Sequence, residues 1–195
     1  DFVLNKAGIR TGDQVDFPVS AKVPSLASTP QEQYFSYFVI SDPLDGALKD
    51  GKVKSVTITA GGATQDVPAS QYTTTEGQNP TVSFTAEGLT ALKGQPNATV
   101  TVTFTATVDQ VPATGQIPNT GYFNVDTRTV PGEPDQPDDG KKVPTNEVVT
   151  GWGDLKVLKA DADNADTGLK GAKFKVYASS DPFAATCDAS TKTGD

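Results

Sequence analysis

One stretch leaves the chain little choice of fold. In ATVTVTFTATV, residues 98–108, Val100, Val102, Phe104, Ala106 and Val108 alternate with five threonines, and successive side chains of a β-strand point to opposite faces. The spacing predicts a strand with one face in a core and a row of threonines on the other. The same period of two runs through DQVDFPVSAKV, QYFSYFVIS, KVKSVTITA, PTVSFTAEG and TGYFNVDTR, with Gly, Pro, Asp and Asn between them. Strands at this spacing with turn residues between them predict an all-β fold, an antiparallel β-sandwich over residues 1–127. TAGG and GLTALKG are expected to be turns, not phosphate cradles.

Composition narrows the chemistry. Sixteen basic against 24 acidic residues give a net charge of −8 without the basic stripe that a phosphate backbone requires, so nucleic acid is not expected as a partner. The absence of His and Met and the single Cys remove the usual general base, the usual metal-ligand clusters and a Cys-His nucleophile. Neither a cofactor nor a metal is expected, and no run is long enough to span a bilayer. Asp161, Asp163 and Asp166 in DADNAD could hold calcium, but the full EF-hand ligand pattern is missing and polar turns between strands are common.

After the sandwich, TVPGEPDQPDDGKKVPTNE has four prolines, charges of both signs and almost nothing to bury. Residues 128–148 are therefore expected to form a linker or a long surface loop. GWGDLKVLKADADNADTGLKGAKFKVYAS then reads as two antiparallel strands joined by a polar turn. Two or three strands in residues 149–195 cannot close a sandwich or bury enough surface alone. With Asp rather than Met at position 1, the expectation is one complete domain followed by the opening strands of a second β-sandwich, in a piece of something longer.

Parity marks several polar side chains in apolar rows. Lys159 shares a face with Leu155 and Val157, opposite a strand whose apolar row is Ala172, Phe174 and Val176. Lys6 follows Phe2 and Leu4. Asp42 follows Tyr34, Ser36, Phe38 and Ile40, and Asn119 lies in the row Ile117, Asn119, Gly121, Phe123 and Val125. One account of the first domain is bland: Lys6 snorkels to solvent, Asp42 begins the turn SDPLDG and Asn119 caps the turn PNTG. The other is chemical. A buried ammonium and a buried carboxylate without compensation shift until both are neutral. A neutral lysine is a nucleophile, and a neutral carboxylic acid can donate to an amide oxygen and stabilise the oxyanion formed on attack. If the amide is that of Asn119, loss of ammonia leaves a Lys-Asn isopeptide bond between strands.

The order TGDQVDFPVSAKVP, FVISDPLDGAL, GLTALKGQPNATVTVTFTATV, GQIPNTGYFNV resembles the isopeptide-forming middle domain of shaft pilins of Gram-positive bacteria, with an actinobacterial fimbrial flavour. GDLKVLKADADNADTGLKGAKFKVYAS resembles the opening of the Cna B-type domain that follows it in those pilins. The resemblance implies an immunoglobulin-like, Cna-type sandwich in a structural shaft subunit at the cell surface, not an enzyme beyond one self-directed reaction. It implies partners: neighbouring pilin subunits, a sortase during assembly, and a host surface protein or glycan. It makes Asp42 the catalytic acid, Asn119 the amide partner, and Lys159 the isopeptide lysine of the second domain. In the family the lysine often stands further from the Gly-Asp turn than Lys6 does from Gly12 and Asp13, so a lysine preceding Asp1 is the alternative to Lys6. Cys187 in FAATCDAS resembles the first half of a disulfide found in some such pilins, against the alternative of a buried free thiol. A wall-anchored adhesin that binds a host ligand through sandwich loops is the rival function.

Overall fold

The computed structural model describes residues 3–145, 147–151, 178–179 and 192–193, and of 3–7, 178–179 and 192–193 the backbone alone. The chain divides into two compact units, Asp1–Gly153 and Asp154–Asp195. In the second, the described residues form one short antiparallel pair, β13 (Ala178–Ser179) with β14 (Lys192–Thr193).

The first unit is built from the strands β1 (Val3–Ala7), β2 (Gln14–Lys22), β3 (Tyr34–Ser41), β4 (Leu48–Ala60), β5 (Ala63–Asp66), β6 (Tyr72–Thr75), β7 (Thr81–Phe84), β8 (Thr99–Val108), β9 (Gln116–Asn119), β10 (Tyr122–Arg128), β11 (Val143–Pro144) and β12 (Val148–Gly151). They make a four-stranded sheet in the order β2-β8-β4-β5, a five-stranded sheet β11-β10-β3-β7-β6, and a three-stranded sheet β1-β12-β9. The alternation read in residues 99–108 is present in β8, where each of Val100, Val102, Phe104, Ala106 and Val108 is buried and the intervening threonines are not. Phe104 lies opposite Phe17 of β2 and Val53 of β4. The main core joins Val19, Val56 and Phe104 of one sheet to Phe38, Ile40 and Phe84 of the other. Face-to-face packing of two antiparallel sheets makes the unit a β-sandwich. TAGG is the expected turn: Ala60 pairs with Ala63, and Gly61 and Gly62 both have positive φ, as a two-residue hairpin of the primed type requires.

Three features differ from the sequence expectation. GLTALKG belongs to an α-helix, α1 (Ala86–Lys93), which Thr85 caps by accepting from the Gly88 backbone N–H. Leu89 and Leu92, three residues apart, turn the helix into the main core. Second, β3 is buried on both faces from Phe35 to Ser41, not on one. Third, of the linker and the long surface loop expected for 128–148, the segment is not a linker that stands apart from the sandwich: it lies on it and adds strands. Asp135 N–H donates to Ser36 O, Asp138 N–H donates to the Tyr37 hydroxyl, β11 pairs with β10, and at the segment's end β12 pairs with β1 and β9. The Pro-rich stretch is the cover that buries the outer face of β3. It uses backbone hydrogen bonds rather than apolar side chains, so it has no hydrophobic pattern. Residues 149–151, assigned from the sequence to the following domain, are strand in the first unit.

Candidate cross-link site

Pairing of β10 with β3 decides where the two key residues meet. Tyr122 lies opposite Ser41. Asp42 therefore leaves the end of β3 next to the short connection that links β9 to β10, and Asn119 is the last residue of β9. Gly121 lets this connection lie close against β2: a Cβ there would stand 2.4 Å from a methyl of Val19. In β9 the alternation is complete, with Ile117 and Asn119 buried and Gln116 and Pro118 exposed.

Both polar groups are out of water. Asp42 is 0% exposed and Asn119 4%, and the Asn119 amide Nδ2 donates to Asp42 Oδ1 at 2.8 Å. The Asp42 backbone N–H donates to Pro80 O at 3.1 Å. Among the described residues no hydrogen bond reaches the buried Asp42 Oδ2 or Asn119 Oδ1. Desolvation raises the Asp42 carboxyl to about 6, against the Asn119 hydrogen bond, which pulls it down. Burial wins because a single neutral donor returns less to a carboxylate than bulk water provides. The reaction expected from the sequence needs the acid to donate to the amide oxygen; in the structure the amide donates to the acid, the arrangement of an ionised Asp42. A half-turn of the carboxamide exchanges its nitrogen and oxygen and gives the protonated acid an acceptor.

Lys6 is on β1. Its backbone pairs with Thr150 of β12, which on its other side lies opposite Ile117, while Asn119 lies opposite Val148. The structure thus brings Asp42 and Asn119 into contact and sets the backbone of Lys6 one strand beyond the neighbour of Asn119. A register shift between Leu4 and Lys6 breaks the simple alternation by which residues 2, 4 and 6 were placed on one face. Lys159, Cys187 and the aspartates 161, 163 and 166 lie outside the described residues. Sequence reasoning missed β12, because VVTG is four residues at the end of a Pro-rich run. No helix among the described residues is long and apolar enough to cross a membrane.

No protein-family model matches the chain. It is 36% identical over 193 residues to the fimbrial subunit type 2 of Actinomyces naeslundii, a match that covers 92% of the chain and 34% of that protein. The chain thus spans about a third of the length of the curated relative it matches. Among solved structures it is similar to the Actinomyces fimbrial adhesin FimA, with 31% identity and a TM-score of 0.64 over 95% of the chain and 64% of that structure. The full-length major pilin SpaD of Corynebacterium diphtheriae is also similar, with 26% identity and a TM-score of 0.56 over 82% of the chain and 36% of that structure.

Proposed function

From this kinship with Gram-positive fimbrial subunits and major pilins, we propose that the chain is part of the shaft of a covalently assembled surface pilus, and that its first domain ties itself shut with one isopeptide bond. The buried Asp42–Asn119 pair carries the proposal. A carboxyl raised to about 6 is easily protonated and so able to act as an acid on the amide beside it.

The reaction balances without any added reagent. A neutral lysine amine attacks Asn119 Cγ while protonated Asp42 donates to the amide oxygen. One proton passes from the attacking nitrogen, through the carboxyl, to Nδ2, and the C–N bond to Nδ2 breaks. Ammonia leaves, an Nζ–Cγ amide remains, and Asp42 ends protonated as it began. Groups held in place by packing reach effective molarities of about 10⁵ M or more, so the step needs no external catalyst and occurs once. The amine is assigned to Lys6, with a lysine preceding Asp1 as the alternative. Such a tie stops terminal strands peeling apart under load and restricts the unfolded ensemble as a disulfide would, but is indifferent to redox conditions. The second domain would close in the same way through Lys159.

The partners that follow are neighbouring subunits, a sortase that joins them, and the cell surface on which the fimbria stands. An adhesive role is the second reading, favoured by the similarity to a fimbrial adhesin; the two are compatible in one subunit. Intact mass of the full-length protein followed by peptide mapping tests the cross-link. The expected result is loss of ammonia and a branched peptide joining Asn119 to the peptide of Lys6. A branch to another lysine would replace Lys6, and a linear Asn119 peptide of full mass would end the proposal.

A further inference from the structure

Among the described residues β1 and β9 have a single strand partner each, and it is the same one. The sheet order is β1-β12-β9. Val148 lies directly opposite Asn119, and Thr150 opposite Ile117; residues paired in this way share a face. Ile117 and Asn119 face inward, so Val148 and Thr150 do as well. Val148 packs on the second core cluster, which includes Ile117, Phe17 and Val108. Thr150 is 0% exposed, and Val149 on the other face is 4% exposed. A four-residue strand that also ends the first unit, two residues before its boundary at Gly153, is therefore enclosed on both sides by the strand of the amide and the first strand of the chain.

We propose that β12 is a latch: the cross-link of the first domain forms only after residues 147–151 have inserted between β1 and β9, so that the segment leading to the second unit licenses the chemistry of the first. Unlatched, β9 keeps no ladder partner among the described residues, and the flanks of Ile117 and Asn119 that Thr150 and Val148 had covered open to solvent. Water then reaches Asp42, its carboxyl returns toward the ordinary range, and the fraction protonated at neutral pH, already the minor one, falls further. Seating β12 expels that water and fixes β1 and β9 in one sheet. The order of events matters for a secreted multidomain chain: ligation before the following segment is in place would close the first domain around an empty slot.

The latch rests on the cross-link reading, and the test separates the two. In the full-length protein, Thr150→Pro removes a ladder N–H from β12 and Val149→Asp places a charge on its buried outer face. Ammonia loss is followed by intact mass, and hydrogen exchange reports whether β2, β8 and β3 remain protected. The latch predicts that either variant keeps protection in β8 while ligating at least tenfold more slowly than the parent. A synthetic peptide of residues 143–153 added in excess should restore ammonia loss in Thr150→Pro, a rescue that general destabilisation would not give. Ligation at the parental rate in a variant whose β12 is unprotected overturns the latch and leaves the cross-link standing. Loss of β8 protection in both variants also overturns it, because β12 would then be inseparable from the fold. If the parent protein itself never loses ammonia, the cross-link reading fails and takes the latch with it.

Discussion

Asp42 and Asp126 lie on or beside neighbouring strands of one sheet, and each has an asparagine close by, yet their surroundings drive them in opposite directions. Lys141 Nζ donates to Asp126 Oδ2 at 2.5 Å. That bond, with help from the Thr127 backbone N–H, holds the Asp126 carboxyl below its ordinary value, and the same contact holds Lys141 above its own. Asn124, two residues earlier on that face, is buried and donates to Asp138 O at 2.9 Å. The region therefore has a lysine, an aspartate and an asparagine, the three types that a cross-link needs. It is nonetheless an ordinary surface ion pair, because solvent keeps the acid ionised and the amine protonated, and an ammonium is no nucleophile. Around Asp42 the carboxyl is fully enclosed and is pushed up instead. Residue types nominate a site; exclusion of water decides whether it can react.

The largest effect should come from the packing that keeps water from the first pair. Ile117→Ala removes a 0% exposed side chain from the strand of Asn119 and should cost about 2–5 kcal/mol. Denaturant unfolding measures it best in an Asp42→Ala background, where the proposed covalent tie would not form and mask the loss. Less than about 1 kcal/mol there would mean that β9 does not seal the site.

Next in size is the pH dependence of a chain without the Asn119 amide. In Asn119→Ala the one side-chain donor to Asp42 among the described residues is gone, so the carboxyl should rise above about 6. A folded value above the unfolded 3.8 means that the native state holds its proton longer. The contribution of Asp42 to stability is then greatest at low pH, falls as pH rises past the unfolded value, and levels off above the folded one. The drop should be about 3 kcal/mol or somewhat more, and adding Asp42→Asn should flatten it. A flat profile without the second substitution would place Asp42 in contact with water.

The smallest effect belongs to the exposed pair. Asp126→Asn should cost no more than ~1 kcal/mol, a loss that shrinks as salt is added. Its pH dependence has the opposite sign, with stability present above the unfolded value and lost as pH falls through the lowered folded one. A loss as large as that for Ile117→Ala would erase the contrast between the two regions.

How much of this was legible in the sequence depends on what each element uses to hold its place. β8 could be read residue by residue because its burial is set by its own alternation. Asp42 and Asn119 were found by the same parity, and the structure encloses both. The helix α1 was hidden because Gly88 interrupts an eight-residue element. Its reason is tertiary: a Cβ at that position would stand 2.0 Å from Gln71 O. The cover over β3 was hidden because its anchors are the backbone groups of residues 135 and 138, and these leave no trace in side-chain periodicity. β12 was hidden because a strand held between two others needs few residues, and the sign of its burial lies in β1 and β9 rather than in VVTG itself.

The claim that burial makes Asp42 the acid of a self-joining site is tested most directly by one comparison of intact masses, Asp42→Ala against Asp126→Ala in the full-length protein. The account predicts that Asp126→Ala loses as many ammonia molecules as the parent, and that Asp42→Ala, folded as judged by protection of β8, retains one more. An Asp42→Ala protein with the parental mass loss, and a branched peptide at Asn119, would contradict it.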